Sequence, residues 1–265
     1  MSKKVAIVTG GTSGIGRATA LALQERGYTV YELSRRAEGM PDIRHIVADI
    51  TKEETLRAAV EQVLAVEGCL DLVVNNAGFG ISGAIEFTDT QEAQRLFDTL
   101  FFGMVRMNRC VIPLMRQQGH GRIVNISSVA APVPIPFQAY YSAGKAAINA
   151  YTMALANELR PFGVTVCAVM PGDIKTGFTA ARHKIIDGDD IYQGRIGRSV
   201  QRMEHDEQTG MDPAKVGRYI AAVASREGSH HPLYATRIDY KFFVFLTKVL
   251  PARFLNWLIY QLYGK

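Results

Sequence analysis

The chain has 265 residues, 48% hydrophobic and 21% charged, a balance that fits one large globular α/β domain better than two small ones. Its three cysteines, Cys69, Cys110 and Cys167, are far apart and form neither a CxxC pair nor a metal-ligand spacing with histidine, which predicts a reduced, cytosolic chain without disulfides or metal. The net charge of +5 would suit nucleic acid, but the basic residues are dispersed and no nucleic-acid motif accompanies them; an anionic cofactor accounts for part of the excess.

Met1-Ser2-Lys3-Lys4 is too short for a signal peptide and reads straight into a strand over residues 5–9. That apolar run ends in Gly10-Gly11-Thr12-Ser13-Gly14-Ile15-Gly16, and residues 17–27 then follow the helical period with apolar Ala18, Leu21 and Ala22. Strand, glycine turn and helix in this order suit a dinucleotide: glycines let the backbone approach a pyrophosphate, and the helix N-terminus faces its charge. An ordinary βα turn is the plainer reading.

The second strand, residues 29–33, ends in Ser34-Arg35-Arg36. An NAD site commonly has a carboxylate here for the ribose 2′-hydroxyl, whereas NADP needs a cation for the 2′-phosphate. Ser34 with Arg35 therefore predicts NADP(H), against the alternative of a solvated basic loop. Residues 44–48 predict a third strand, followed by Asp49-Ile50, where Asp49 either accepts from an adenine amino group or belongs to the turn. Thr51 and Glu54 have capping-box spacing and predict a helix to about residue 67. The fourth strand, residues 71–74, runs into Asn75-Asn76-Ala77-Gly78, small residues that let a loop pass close to a cofactor or simply make a turn.

A long helical segment over 91–117 carries Phe97, Leu100, Phe101, Met104, Met107 and Met115, read as core or subunit interface. Residues 121–127 predict strand five, with Ser127-Ser128 at its C-terminal end, where open α/β sheets bind ligands. Pro132, Pro134 and Pro136 make residues 130–137 a loop, one wall of a substrate pocket. The next helix opens at Gln138-Ala139-Tyr140-Tyr141-Ser142-Ala143-Gly144-Lys145 and runs to about residue 160. Tyr141 and Lys145 stand four residues apart on one helical face, so the ammonium can lie beside the phenol and stabilise its phenolate, which makes Tyr141 an acid or base usable near neutral pH. Surface pairs at this spacing are also common.

Residues 164–169 predict strand six, ending in Pro171-Gly172-Asp173-Ile174-Lys175-Thr176. The polar stretch beyond it has no strand pattern and predicts a lid over about 173–211; Asp212 and Pro213 then suit the N-cap and N1 of a helix through residue 225. The tail, residues 240–265, is a hydrophobic helical extension of a domain over 1–239, interrupted by Lys248, Pro251 and Arg253 and too short to span a bilayer. Three readings of it are open: a helix packed on the core or a partner subunit, part of an apolar substrate entrance, or a peripheral membrane anchor.

Together, T-G-x-x-x-G-I-G at residues 9–16, N-N-A-G at 75–78, Ser128, Y-x-x-x-K at 141–145 and P-G at 171–172 resemble the short-chain dehydrogenase/reductase family over residues 4–237, nearer to its hydroxysteroid and retinol dehydrogenase-like members. The resemblance implies a Rossmann-type doubly wound parallel sheet in three αβα layers, homodimers or homotetramers, and NADP(H) bound across the C-terminal edge. It implies that Tyr141 exchanges a proton with the substrate oxygen, that Ser128 hydrogen-bonds that oxygen, and that Lys145 lowers the tyrosine pKa and holds the nicotinamide ribose. Gly10, Thr12, Ser13, Gly14, Ile15 and Gly16 match the phosphate turn, Ser34 and Arg35 the 2′-phosphate site, and Asp49 and Ile50 the adenine contacts. Asn76, Ala77 and Gly78 match the ribose and nicotinamide side, and Pro171, Gly172, Ile174 and Thr176 the nicotinamide amide and phosphates.

One departure matters. Many members carry D-V-N-x-x-G in the middle helix, where the asparagine holds a proton-relay water; here Asp98-Thr99-Leu100-Phe101-Phe102-Gly103 places Leu100 at that position, and Thr99 is about 100° away around a helix. The relay then runs through a backbone carbonyl, takes another route, or is impaired. The expected activity is NADP(H)-dependent interconversion of a hydrophobic ketone or aldehyde and its alcohol, with steroid-, retinoid- or lipid-like substrates. A 3-oxoacyl-thioester reductase and an NADP-binding sensor without turnover are the alternatives.

Overall fold

Runs of Val, Ile and Leu form the strands of this chain, and their near-continuous hydrophobicity follows from burial on both faces of a parallel sheet. The computed structural model describes residues 4–226 and 231–265. In chain order the elements are β1 (Lys4–Thr9), α1 (Gly14–Gln24), β2 (Tyr28–Ser34), β3 (Arg44–Val47), α2 (Glu53–Glu67), β4 (Leu72–Asn75), β5 (Ile81–Ser82), α3 (Thr90–Phe97), α4 (Gly103–Gln118), β6 (Gly121–Ile126), α5 (Ala139–Leu159) and β7 (Val164–Met170). The chain continues through α6 (Phe178–Ala181), β8 (His183–Lys184), α7 (Arg195–Gln208), α8 (Pro213–Ala224), β9 (Leu233–Ala235), α9 (Ile238–Val249) and α10 (Ala252–Ile259). The main sheet has the order β3-β2-β1-β4-β6-β7-β9, every pair parallel, while β5 and β8 pair separately.

Alternation along each strand builds two cores. Ala6 and Val8, Leu72 and Val74, Val124 and Ile126, and Cys167 and Val169 join residues of α1 and α8 on one face. Val5 and Ile7, Val73, Ile123, Val164 and Val166 join α2, α4 and α5 on the other. The result is a three-layer αβα Rossmann-type sheet. Its strand order reverses at β1, so the ends of β1 and β4 diverge and open a crevice at the C-terminal edge.

Several local expectations change. Thr51 and Glu54 do not form a capping box: α2 starts at Glu53 behind Lys52, and Thr51 donates its N–H and hydroxyl to the Asp49 carboxylate at 3.0 and 2.8 Å. The segment over 91–117 is not one helix, because a π-turn at Asp98–Phe102 separates α3 from α4. Asp212 caps α8 as expected, accepting from the Ala214 N–H at 2.9 Å. The polar stretch over 173–211 carries α7, whose Ile196, Val200 and Met203 pack on Ala84 and Phe137. Three-residue β9, too short for periodicity to reveal, lies beside β7 at the sheet edge.

The tail is helical and seated on the polar stretch. The Tyr240 hydroxyl donates to the Asp173 carboxylate and accepts from the Asp173 N–H, each at 3.0 Å, and its ring leaves no room for a side chain at Gly172. Farther on, Arg195 donates to the Gly264 carbonyl at 2.7 Å and Tyr263 to Asp206 at 3.1 Å.

Met107 tests the second core: with 0% of its surface exposed, its truncation to alanine is expected to cost about 2–5 kcal/mol, read as a lower urea midpoint at unchanged m-value. An unchanged midpoint would put Met107 outside the structural core.

Candidate active site

The glycine turn after β1 depends on backbone that other residues resist. Gly10 and Gly14 have φ of 66° and 53°, in the left-handed region. α1 begins behind Ser13, whose side chain makes no cap bond, so the N–H groups of its first turn are left for a ligand. Gly16 serves a different end from the contact expected of it. It does not line the cleft; a Cβ there would strike the Gly10 carbonyl and the Asn76 amide, so its absence lets α1 press onto the turn. The Asn76 amide donates to the Thr9 and Gly10 carbonyls at 3.1 and 3.2 Å, and the Thr9 hydroxyl accepts from the N–H groups of Asn76 and Ala77 at 3.0 and 3.1 Å. Asn76 therefore works chiefly by pinning the turn.

Gly10, Thr12, Ser13, Gly14, Ile15, Ser34, Arg35, Asp49, Ile50, Asn76, Ala77, Gly78, Pro171, Gly172, Ile174 and Thr176 line one cleft of ≈ 1190 Å³, together with Ser128, Tyr141 and Lys145. Arg35 and Arg36 stand exposed at the end of β2. Beneath them Glu32, 0% exposed, pairs with His45, whose other ring nitrogen meets the Arg36 carbonyl at 2.9 Å. Burial pushes the Glu32 carboxyl up, and His45 opposes the shift. Neither residue was expected from sequence; the available signal was an acid inside an apolar strand, since buried acids need partners. Burial also works against ionisation of Asp49, but the two Thr51 hydrogen bonds and the Arg35 and Lys52 charges prevail and hold its carboxyl below the ordinary value. A glycine cradle, an open helix N-terminus and nearby cations fit a dinucleotide.

At the other end of the cleft, α5 presents Tyr141 and Lys145. Ser128 lines the cleft with Tyr141 and pulls its pKa down, whereas the Ser127 hydroxyl is turned to the scaffold and donates to the Lys145 backbone carbonyl at 3.1 Å. The Lys145 ammonium donates to the Ile126 carbonyl at 2.7 Å and lies 5.6 Å from the centre of the Tyr141 ring. Phe178 leans on the same ring, 5.8 Å between centroids.

The expected lowering of the Tyr141 pKa by Lys145 is not found in this arrangement. Burial pushes Tyr141 up to about 12; Ser128 and Arg182 pull it down, while the Glu207 and Asp173 carboxylates add to the rise. Burial likewise pulls Lys145 down to about 7. The lysine is turned toward a carbonyl, and its own charge is disfavoured.

Leu100 is buried, with its side chain against Gly78 and Gly144, and offers no polar atom. Thr99 does line the cleft, because the π-turn departs from regular helical spacing, but its hydroxyl donates to the Arg95 carbonyl at 3.1 Å. Below the site runs a polar ladder that the motifs did not reveal: the Asn75 amide donates to Asn108 and Asn125 at 2.7 and 2.9 Å, and Asn125 donates to Thr152 at 2.9 Å. It ties β4, α4, β6 and α5 together. The substrate side is walled by Val129, Ala130 and Ile135 of the proline loop and by Phe178, Ala181 and Glu207. Glu207 is held by the buried Arg182 and by the Thr179 hydroxyl, which donates at 2.6 Å.

The short chain dehydrogenase family model matches residues 4–185. A 3-ketodihydrosphingosine reductase from Bacteroides thetaiotaomicron is 38% identical over 261 residues, covering 97% of this chain and 94% of that protein. An NADPH-dependent 1-acyldihydroxyacetone phosphate reductase from Schizosaccharomyces pombe is 34% identical over 183 residues, 66% of this chain and 61% of its own. A short-chain dehydrogenase from Streptomyces avermitilis, solved as a crystal structure, matches with a TM-score of 0.84 at 33% identity over 94% of each chain.

The lysine shift has a measurable consequence. With a folded pKa of about 7 against an ordinary 10.5, Lys145 binds its proton more readily in the unfolded chain, so its contribution to stability is present above the ordinary value and is lost as pH falls through the folded one. Tyr141, shifted upward, matters only above its ordinary value of 10.0. Between about pH 7 and 10 the urea midpoint of the native protein is therefore expected to rise relative to Lys145→Met; parallel curves would mean that Lys145 keeps its charge in the fold.

Proposed function

The chain belongs to the short-chain dehydrogenase family, and from that premise we propose that it reduces the keto group of a long-chain lipid with NADPH, the 3-keto sphingoid bases being the first candidates. As a member it is an oxidoreductase acting between carbonyl and alcohol with a nicotinamide cofactor. The observation that carries the substrate reading is the length of the likeness to the 3-ketodihydrosphingosine reductase, 97% of this chain. It runs past the family-wide portion, residues 4–185, into α7, which lines the cleft through Glu207, and into the C-terminal helices.

The choice of NADPH rests on Ser34 and Arg35. No carboxylate stands at the end of β2 to repel a 2′-phosphate, and the exposed Arg35 guanidinium suits it. Asp49 and Ile50 would border the adenine, the α1 N-terminus the pyrophosphate, and Ile174 and Thr176 the nicotinamide side. The cofactor, when bound, supplies the hydride. In the proposed reaction Tyr141 gives its phenolic proton to the carbonyl oxygen while Ser128 donates a hydrogen bond to the same atom. Lys145 would hold the nicotinamide ribose, with the Ile126 carbonyl keeping its side chain in place.

Electrostatics favour an amine beside that carbonyl. Asp173 and Glu207 line the same cleft and raise the Tyr141 pKa. A 3-keto sphingoid base carries an amino group on the carbon next to the ketone, and its positive charge would offset that rise as the substrate binds.

Tyr141→Phe is expected to lower kcat by about 10²–10⁴-fold with NADPH affinity nearly intact; retained turnover would remove the assigned proton donor. Arg35→Ala is expected to weaken NADPH by about 10–100-fold and NADH little, whereas equal losses would argue against phosphate recognition. NADPH consumption should be measured against a long-chain 2-amino-3-ketone, the same ketone without the amine, a ketosteroid, retinal and an acetoacetyl thioester. Turnover strongest on the first supports the reading; turnover confined to the steroid, retinal or thioester overturns it.

A further inference from the structure

The C-terminal helices turn an apolar face away from the fold. On α9, Ile238, Phe242, Phe245 and Val249 recur at helical spacing and are 82%, 61%, 55% and 56% exposed. The other side of the helix faces the domain through Tyr240, which holds Asp173. On α10, Phe254 and Trp257 stack at 5.8 Å and are 49% and 54% exposed, while Ile259 behind them is buried at 3%. A helix serving only to cover the core would place these large side chains inward.

Charge distinguishes the occupants of such a face. Lys241 and Lys248 run along one border of the α9 stripe, about 70–90° from its centre, and Arg253 precedes Phe254. All three are exposed, and none forms an ion pair among the described residues. Asp239, the acid of these helices, is taken by Arg237. A second copy of this face would bring Lys241 and Lys248 no acid beyond Asp239, which Arg237 already holds. An anionic phospholipid surface satisfies both properties at once, burying the aromatic and aliphatic side chains at the acyl boundary while its headgroups meet the cations. Tryptophan is at home at that depth. Among the described residues no helix is long and apolar enough to cross a membrane, so α9 and α10 would lie in the interface plane.

We propose that α9 and α10 dock this protein on an anionic phospholipid surface. The docking itself does not depend on the substrate; its bearing on catalysis rests on the reduction of a lipid ketone. Tyr240 joins the inner side of α9 to Asp173, and Asp173 lines the cleft, so the docked helices are one residue removed from it. A lipid ketone would pass from the bilayer to Tyr141 past that contact, without its chain entering bulk water.

The test is flotation of the full chain with vesicles of phosphatidylcholine alone and of phosphatidylcholine with phosphatidylglycerol. The native protein is expected to float with the anionic vesicles and to be released by salt. Phe242→Ser with Phe245→Ser and Trp257→Ser should abolish flotation, and Lys241→Gln with Lys248→Gln and Arg253→Gln should weaken it by about 100-fold while removing the anionic preference. These positions are exposed and outside the cleft, so unchanged NADPH binding confirms that each variant is folded. Equal binding to neutral and anionic vesicles, or none to either, overturns the proposal. So does a concentration-dependent dimer that the apolar variant abolishes in a chain that never floats, since a second copy then covers the face. A chain that floats yet reduces no lipid ketone leaves the docking standing and removes the substrate reading instead.

Discussion

The hydrogen bond from the Lys145 ammonium to the Ile126 carbonyl, 2.7 Å long, is the contact on which the site depends. A buried ammonium is costly unless something receives it. Here the acceptor is the last residue of β6, a central strand, so the lysine is placed by the sheet itself rather than by a loop. The next residue repeats the tie in the other direction, through the Ser127 hydroxyl and the Lys145 carbonyl. Helix α5 is thus fastened to β6 by two bonds at one turn, and Tyr141, one turn earlier, inherits its position from both.

The asparagine ladder under this junction has the same logic. Asn75, Asn125 and Thr152 join the two central strands to α5 through side chains that water does not reach, and Asn108 brings in α4. Such networks are strong when satisfied and costly when broken, so they favour a single arrangement over many near-equivalent ones. On the opposite wall Asn76 does this for the glycine turn. The cleft's cofactor side is built on strand ends and the turns that leave them, and its substrate side on the proline loop and the helices α6 and α7.

Legibility in the sequence divides along the same line. Strands buried on both faces advertise themselves by composition alone, and the glycine turn follows directly on the first of them, whereas Ser128, Tyr141 and Lys145 stand out in the sequence only through the family resemblance, and the structure brings the three into one cleft. Glu32 and His45 are thirteen residues apart on neighbouring strands, a pairing that register decides and that no local pattern contains. The Thr51 capping box fails because Asp49, two residues earlier, competes for the same hydroxyl. The tyrosine pKa departs from expectation for a related reason: helical spacing puts the lysine on the right face, but burial and a carbonyl on another strand decide where its charge points. The C-terminal helices show their apolar character in sequence, and their three readings narrow only once the outward side is known.

Trp257 is the chain's single tryptophan, and it stands 54% exposed on α10, a member of neither buried core. Light absorbed and re-emitted by its indole therefore reports on the polarity around the C-terminal helices and is blind to the packing of the sheet. An emission spectrum that stays constant through denaturation would say nothing about whether the nucleotide cleft still exists, whereas a blue shift at constant fold would register a change of surroundings at that one outward helix.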